Sequence, residues 1–165
     1  MTKVMTDSGW VYVVIVLDWY TKKIVGHYSG RQARTKEWLG ALNKALNREY
    51  KQGVRGNRLK LISDNGSQPT SISFMKACSN LEVQQVFTSY NNPKGNADTE
   101  RMIRTMKEEL LWLREWENER ELGHQLDNWV DYYNRNYLHS AHGYRSPLQA
   151  EAEFYKNHDS HLNAA

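Results

Sequence analysis

Apolar residues fall in short continuous blocks over the first third of the chain and at helical spacing after that. Thr2 to Thr6 reads as a short strand closed by the turn Asp7-Ser8-Gly9. Trp10 to Leu17 comes next, β-branched, aromatic and apolar at nearly every position. A block that is apolar on both faces belongs inside a sheet, so this strand is expected at its centre. Asp18 to Lys23 turns the chain and Ile24 to Ser29 gives a third strand; short turns between three strands predict an antiparallel meander. From Thr35 the period becomes helical, with Trp38, Leu39, Leu42, Ala45 and Leu46 on one face and Thr35 as the expected N-cap. Lys51 to Arg58 is a polar loop. After it come a strand over Leu59–Ser63, a helix over Ser71–Ser79 and a strand over Glu82–Thr88. The last third predicts helices from Gly95 to Trp112 and from Glu119 to Tyr137, then a final helix with Pro147 in its first turn and Ser146 as its cap. The order predicts an α/β fold: a mixed five-stranded sheet flanked by helices, with extra helices at the C-terminal end.

Length and composition narrow the class without naming a function. The 165 residues suit one domain with a full core. The longest apolar run has the length of a strand, so no membrane span is expected, and the N-terminus lacks the pattern of a signal peptide. A single cysteine, Cys78, excludes an intramolecular disulfide and fits a reducing cytoplasm. The net charge of +3 is mild, so any nucleic-acid role rests on where the cations sit.

Two carboxylates stand out. Leu59 to Ser63 delivers Asp64 at the C-terminal end of a strand, and after thirty-five intervening residues Glu100 sits in the early turns of a helix. Each has an ordinary explanation. Asp-Asn-Gly is a common turn, and a glutamate near a helix N-terminus is favoured by the macrodipole. The functional explanation is a carboxylate pair holding a divalent cation, since ligands of open α/β sheets gather beyond the carboxyl ends of strands. At about 100° per residue, Asn96, Glu100, Arg104 and Lys107 share an arc of roughly 80°. Ile103, Met106, Leu110 and Leu113 form the apolar face beside it. Glu100 is thus flanked by cations. Either Arg104 and Lys107 are its helical ion-pair partners, or the group faces phosphates. Lys94, Arg101, Arg104 and Lys107 are the candidate phosphate contacts, with a solvated helix face as the alternative. The loop Asn91–Asn96 is a candidate for closing over DNA, or a plain turn. His139 and His142 have a zinc-like spacing but no supporting cluster, so they are not assigned to metal. The aromatic residues of the late helices, Trp129, Tyr132 and Tyr133, are expected to pack, and the acidic stretch Glu115–Glu121 to be a solvated connection.

In order and at this spacing, several motifs together carry a family resemblance. Asp64-Asn65-Gly66-Ser67-Gln68 and Asn92-Pro93-Lys94-Gly95-Asn96-Ala97 leading to Glu100-Arg101 resemble the catalytic core of retroviral-integrase-like transposases, those of bacterial insertion sequences in particular. Trp10-Val11-Tyr12 and Leu17 to Gly26 resemble that family's second and third strands. Tyr133-Asn134, His139 to Tyr144 and Ser146-Pro147 resemble its C-terminal signature. The resemblance implies a ribonuclease-H-like fold and an Asp-Asp-Glu triad acting with two Mg²⁺ or Mn²⁺ ions. The implied substrates are transposon ends and target DNA, the implied state is a homodimer or larger assembly, and the implied place is a bacterial cytoplasm. Asp64 matches the second acid and Glu100 the third, as catalytic and metal-binding residues. The first acid of the family lies just before a segment like Met1-Thr2-Lys3-Val4, and neither Asp7 nor Asp18 is taken as its substitute. The resemblance therefore implies a catalytic core over residues 1–155, cut within its first strand and weakly active or inactive alone, with a tail at 156–165. Two alternatives stay open: a non-catalytic remnant that binds DNA or self-associates, and a ribonuclease-H-like nuclease.

Overall fold

The structure, a computed structural model, describes residues 1–88 and 97–162. Strand β1 (Thr2–Thr6) pairs antiparallel with β2 (Gly9–Leu17), and β2 with β3 (Ile24–Gly30). The continuous apolar strand is central in this meander, as its composition predicts. Helix α1 (Thr35–Glu49) crosses one face of it. Gly26 permits that approach, because a Cβ there would lie 2.4 Å from the Ala41 carbonyl oxygen. The α1 cap differs from expectation by one residue. Arg34 is the N-cap, and its amide donates to Glu37 Oε2 at 2.9 Å. Thr35 is the first helical residue and turns its hydroxyl to Ser71 Oγ at 2.9 Å.

Strand β4 (Lys60–Ser63) runs through α2 (Ile72–Asn80) to β5 (Gln84–Phe87), which pairs parallel to it. All five expected strands and both strand directions are present, but their hydrogen bonds divide into a three-stranded and a two-stranded sheet. The β1–β2 register pairs Thr2 with Val13 at one end and Thr6 with Gly9 at the other, and beyond Val13 lies the second half of β2. On that side the rest of β2 has no strand partner among the described residues. A cleft of about 620 Å³ lies between Val14–Leu17 of β2 and Leu59–Asp64 around β4, floored by Leu42 and Leu46 of α1.

On the other face of the meander, α3 (Ala97–Met106) and α4 (Glu119–Asn136) close the larger core. Leu122, Leu126, Trp129, Val130 and Tyr133 of α4 are buried against Val11, Val13 and Ile24 of the sheet and against Met102 and Met106 of α3. Burying a side chain of this size contributes about 1.5–3 kcal/mol. Asn134 is fully buried yet satisfied: it accepts from the Ile24 amide at 2.8 Å and donates to the Ile24 carbonyl at 3.0 Å, tying α4 to the start of β3. The expected packing role of the α4 aromatics holds for Trp129 and Tyr133, whereas Tyr132 is exposed.

The helix containing Glu100 does not stay α-helical to Trp112. A π-helical turn over Lys107–Leu111 continues from α3. Leu110, on the expected face, and Leu111 are buried in the core, and the helix ends there: Leu113, expected on the apolar face, lies beyond it and is 70% exposed. The last helix, α5 (Pro147–Leu162), starts where predicted. Ser146 Oγ accepts from the Gln149 amide at 3.4 Å, and Gln149 Oε1 accepts from the Ser146 amide at 2.9 Å. The helix runs on through Leu162, so most of the expected tail is helical. Lys23, with its side chain buried, joins α1 to α5 through Glu49 at 3.0 Å and Glu151 at 2.6 Å.

Candidate functional site

Asp64 is exposed at the C-terminal end of β4. Its Oδ1 accepts from the Gly66 amide at 3.0 Å, so the turn-capping explanation is true of one oxygen. The turn is tied down by Asn65, which donates to the Thr88 carbonyl at 2.8 Å, and by the Thr88 amide, which donates to the Ser63 carbonyl at 2.9 Å. A Cβ at Gly66 would lie 2.9 Å from Asp64 Oδ1, so a larger residue there would push the Asp64 carboxylate aside. The other carboxylate oxygen has no protein partner among the described residues. Asp18, by contrast, is used up in its own turn, accepting from the Thr21 amide at 3.0 Å and from the Thr21 hydroxyl.

Glu100 is exposed near the start of α3 and makes no hydrogen bond or ion pair among the described residues. The helical ion-pair explanation is therefore not realised: neither Arg104 nor Lys107 holds it. Arg101 and Arg104 are exposed and unpaired among the described residues, and the Lys107 ammonium lies 5.5 Å over the Trp112 ring. The acid in the first turn that is paired is Asp98, whose partner Lys22 stands 2.7 Å away. Lys94 and the loop Asn91–Asn96 lie outside the described residues.

Two observations bring Asp64 to α3. Asp64 and Thr99, the neighbour of Glu100, line the same cleft. The Met1 ammonium lies within electrostatic reach of both Asp64 and Lys107: burial lowers its pKa, Asp64 raises it, and Lys107 lowers it further. Glu100 and Lys107 differ by only about 20° in helical azimuth, so this is also the Glu100 side of α3. Among the described residues, no group of three or more His, Cys, Asp or Glu converges on one metal position. Glu100 itself is not among the residues that line the cleft, and Asp64 and Glu100 each keep carboxylate oxygen without a partner among the described residues. That suits a hard divalent ion whose remaining ligands are water and phosphate.

Sequence reasoning missed the brace that fixes this end of α3. Lys22 has a left-handed backbone (φ 62°) and also donates to the Trp19 carbonyl at 2.6 Å. Trp19 Nε1 donates to the Thr99 hydroxyl at 3.3 Å. The β2–β3 turn thus grips both residues that precede Glu100. No local signal announces contacts between residues so distant in the chain.

Comparison with known proteins agrees with this architecture. The family model described as integrase core domain matches residues 1–93, and a second model of the same description matches residues 81–147. The transposase for insertion sequence element IS904 of Lactococcus lactis is 28% identical over 152 residues, covering 92% of this chain and 58% of the relative. The transposase for insertion sequence element IS629 of Shigella sonnei is 28% identical over 154 residues, covering 93% and 50%. The chain thus spans about half the length of these relatives. Among solved structures, the HTLV-2 integrase catalytic core domain in complex with magnesium superposes with a TM-score of 0.67 at 14% identity, covering 90% of each chain. The BIV integrase catalytic core domain does so at 0.60 and 17%, covering 95% of each. With the integrase core model matching more than half of its residues and this ribonuclease-H-like fold, the chain belongs to the integrase core domain family.

Proposed function

We propose that this chain is the catalytic core of a DNA transposase that cuts and joins phosphodiester bonds, with Asp64 and Glu100 holding Mg²⁺ or Mn²⁺. The observation that carries the proposal is the shared cleft: Asp64, with one free carboxylate oxygen, and Thr99, beside unpaired Glu100, line a single cavity. A divalent ion bound there supplies neutralisation of the phosphate and activation of the attacking oxygen at neutral pH. The protein's own part is positional. The Gly66 amide and the Asn65–Thr88 bond fix the Asp64 turn, and the Trp19–Thr99 and Lys22–Asp98 contacts fix the start of α3. Arg101, Arg104 and Lys107, with Lys94 beyond the described residues, provide cations for the DNA backbone, a sequence-independent and salt-sensitive attraction. Transposon ends and target are the expected DNA substrates, and a homodimer or larger assembly is the expected working form. The similarity to insertion-sequence transposases supports this chemistry over simple hydrolysis.

The test is a strand-transfer assay with labelled duplex ends and a supercoiled target, run on the longest product of the reading frame that contains this chain. Joined product is expected in Mg²⁺ or Mn²⁺. Asp64→Asn and Glu100→Gln should each remove it by roughly a hundredfold or more while circular dichroism stays unchanged. Hydrolysed ends without joining would reassign the protein to the nucleases. Joining at normal rates by either variant would remove that residue from the site.

A further inference from the structure

We propose that a second cavity, beside the start of α3, is a pocket for one unpaired nucleotide of a DNA strand. This role rests on the DNA chemistry proposed for the Asp64 cleft. The cavity measures about 290 Å³ and lies between α3, the β2–β3 turn and the segment from His139 to Tyr144. The two cavities adjoin at Leu17, which lines both. Thr99 lines the cleft, whereas Asp98, Arg101, Met102 and Thr105 line the pocket, within an arc of roughly 100°. The α3 residues of the pocket are thus distinct from Thr99, the residue of that helix that lines the cleft.

The lining combines the chemistries that a nucleotide uses. Arg101 provides a guanidinium with no partner among the described residues. The one carboxylate in the wall, Asp98, is neutralised by Lys22 at 2.7 Å, so the recess is net cationic through Arg101. Ser140 has a hydroxyl without a hydrogen bond among the described residues, free to meet a base edge. His139 is held in place by the Tyr133 hydroxyl at 3.1 Å and by ring contacts to Tyr133 and Tyr137. Burial lowers its pKa, and His142, Lys22 and Arg101 lower it further against the opposing pull of Asp98.

Tyr144 is the most unusual member. Its ring is 72% exposed, so core packing does not account for it. Its backbone is left-handed (φ 58°), directly after Gly143 (φ 60°), a conformation that a bulky residue adopts only under constraint. The constraint is visible: the Tyr144 amide donates to the His139 carbonyl at 2.9 Å, and the His139 amide to the Arg145 carbonyl at 3.0 Å. Backbone bonds therefore hold an exposed aromatic ring at the rim of a recess that carries a free cation. A base stacked on that ring, with its phosphate on Arg101, satisfies both. The volume lies just below the range of drug-sized sites, which suits one nucleotide and excludes a longer segment. Aromatic stacking is open to any base, so the pocket accepts an unpaired nucleotide with little sequence preference.

Fluorescence anisotropy with three ligands tests this: a blunt hairpin duplex, the same duplex with a three-nucleotide single-stranded tail, and the tailed duplex with abasic sugars in the tail. The intact tail should strengthen binding roughly tenfold over the blunt duplex. The abasic tail, with the same phosphates, should not. Tyr144→Ala should lose the gain and keep the blunt-duplex affinity, and Tyr144→Phe should retain both. Tyr144→Gly, which the left-handed backbone favours, should behave like the alanine variant in a chain whose fold is secure. An equal gain from the abasic tail, or a gain that survives in both Tyr144→Ala and Tyr144→Gly, would overturn the pocket and leave the DNA reading standing. No binding of any of the three ligands would sink the DNA reading and the pocket with it.

Discussion

The core beneath α3 and α4 is large and continuous, whereas the parallel pair stands at the side of an open cleft. Beneath α3 and α4, Trp116, Leu122, Leu126 and Tyr133 are buried in one continuous cluster with the sheet. Around β4 and β5 the cluster is smaller, made by Leu42, Leu46, Val54, Phe74, Cys78 and Val83, and several of these side chains also line the cleft. The two candidate acids are divided between these regions. Glu100 rides on a helix anchored by fully buried Met106, and Asp64 rides at the end of a four-residue strand with one edge unpaired. The distance between them therefore depends on the less closed region, and the chemistry should be most sensitive to changes there.

Core truncation should give the largest effects and expose the contrast directly. Leu126→Ala removes a side chain enclosed on every side and is expected to cost about 4–5 kcal/mol in urea unfolding. Leu42→Ala enlarges space that already exists and should cost about 2–3 kcal/mol. Equal costs would mean that the two regions are equally closed. A smaller loss should come from the clasp between α1 and α5. Lys23→Met leaves Glu49 and Glu151, both partly exposed, facing one another without their cation, and should cost about 2 kcal/mol. Retained thermal stability would show the clasp to be ornamental.

A pH-dependent effect, smaller again, should come from His139. Its pKa is depressed in the folded protein, chiefly by burial, so the unfolded chain binds the proton more readily. Stability should be fully present above the unfolded value, near 6.5, and fall as pH drops from there towards the folded value. His139→Gln should flatten that part of the melting-temperature profile; an unchanged slope would contradict the assignment. The smallest and most local readout is Cys78. Burial pushes its thiol up to about 11, so little thiolate exists at pH 8 and the folded protein should react slowly with a disulfide reagent. Because Cys78 sits in the smaller cluster, its labelling should nonetheless outpace amide exchange at Leu126. Equal rates would mean that both regions open together.

Much of this architecture is legible in the sequence where the pattern is long or the local chemistry distinctive. The eight apolar residues from Trp10 place β2 at the centre of its sheet, and Ser146-Pro147 marks the start of α5. What escapes is non-local or lies where a helix ends. The helix ends with the π-helical turn at Lys107–Leu111, so Leu113 lies beyond it and is exposed. The division into two sheets is a matter of strand pairing, which no one strand's composition announces. At the candidate site, the sequence identifies Asp64 and Glu100 and offers two roles for each. Only the folded structure shows that Asp64 spends one oxygen on its turn and that Glu100 spends none on Arg104. The Lys22–Asp98 and Trp19–Thr99 contacts that position α3 join segments remote in the chain and leave no local trace.

The central claim is that Asp64 and Glu100 hold one divalent ion together, and Mn²⁺ binding followed by electron paramagnetic resonance in the presence of a short DNA duplex tests it most directly. Wild-type protein should remove Mn²⁺ from the free signal. Asp64→Asn and Glu100→Gln should each lose that capacity, and the double variant should lose no more than either alone. Undiminished Mn²⁺ binding in both single variants would contradict the account.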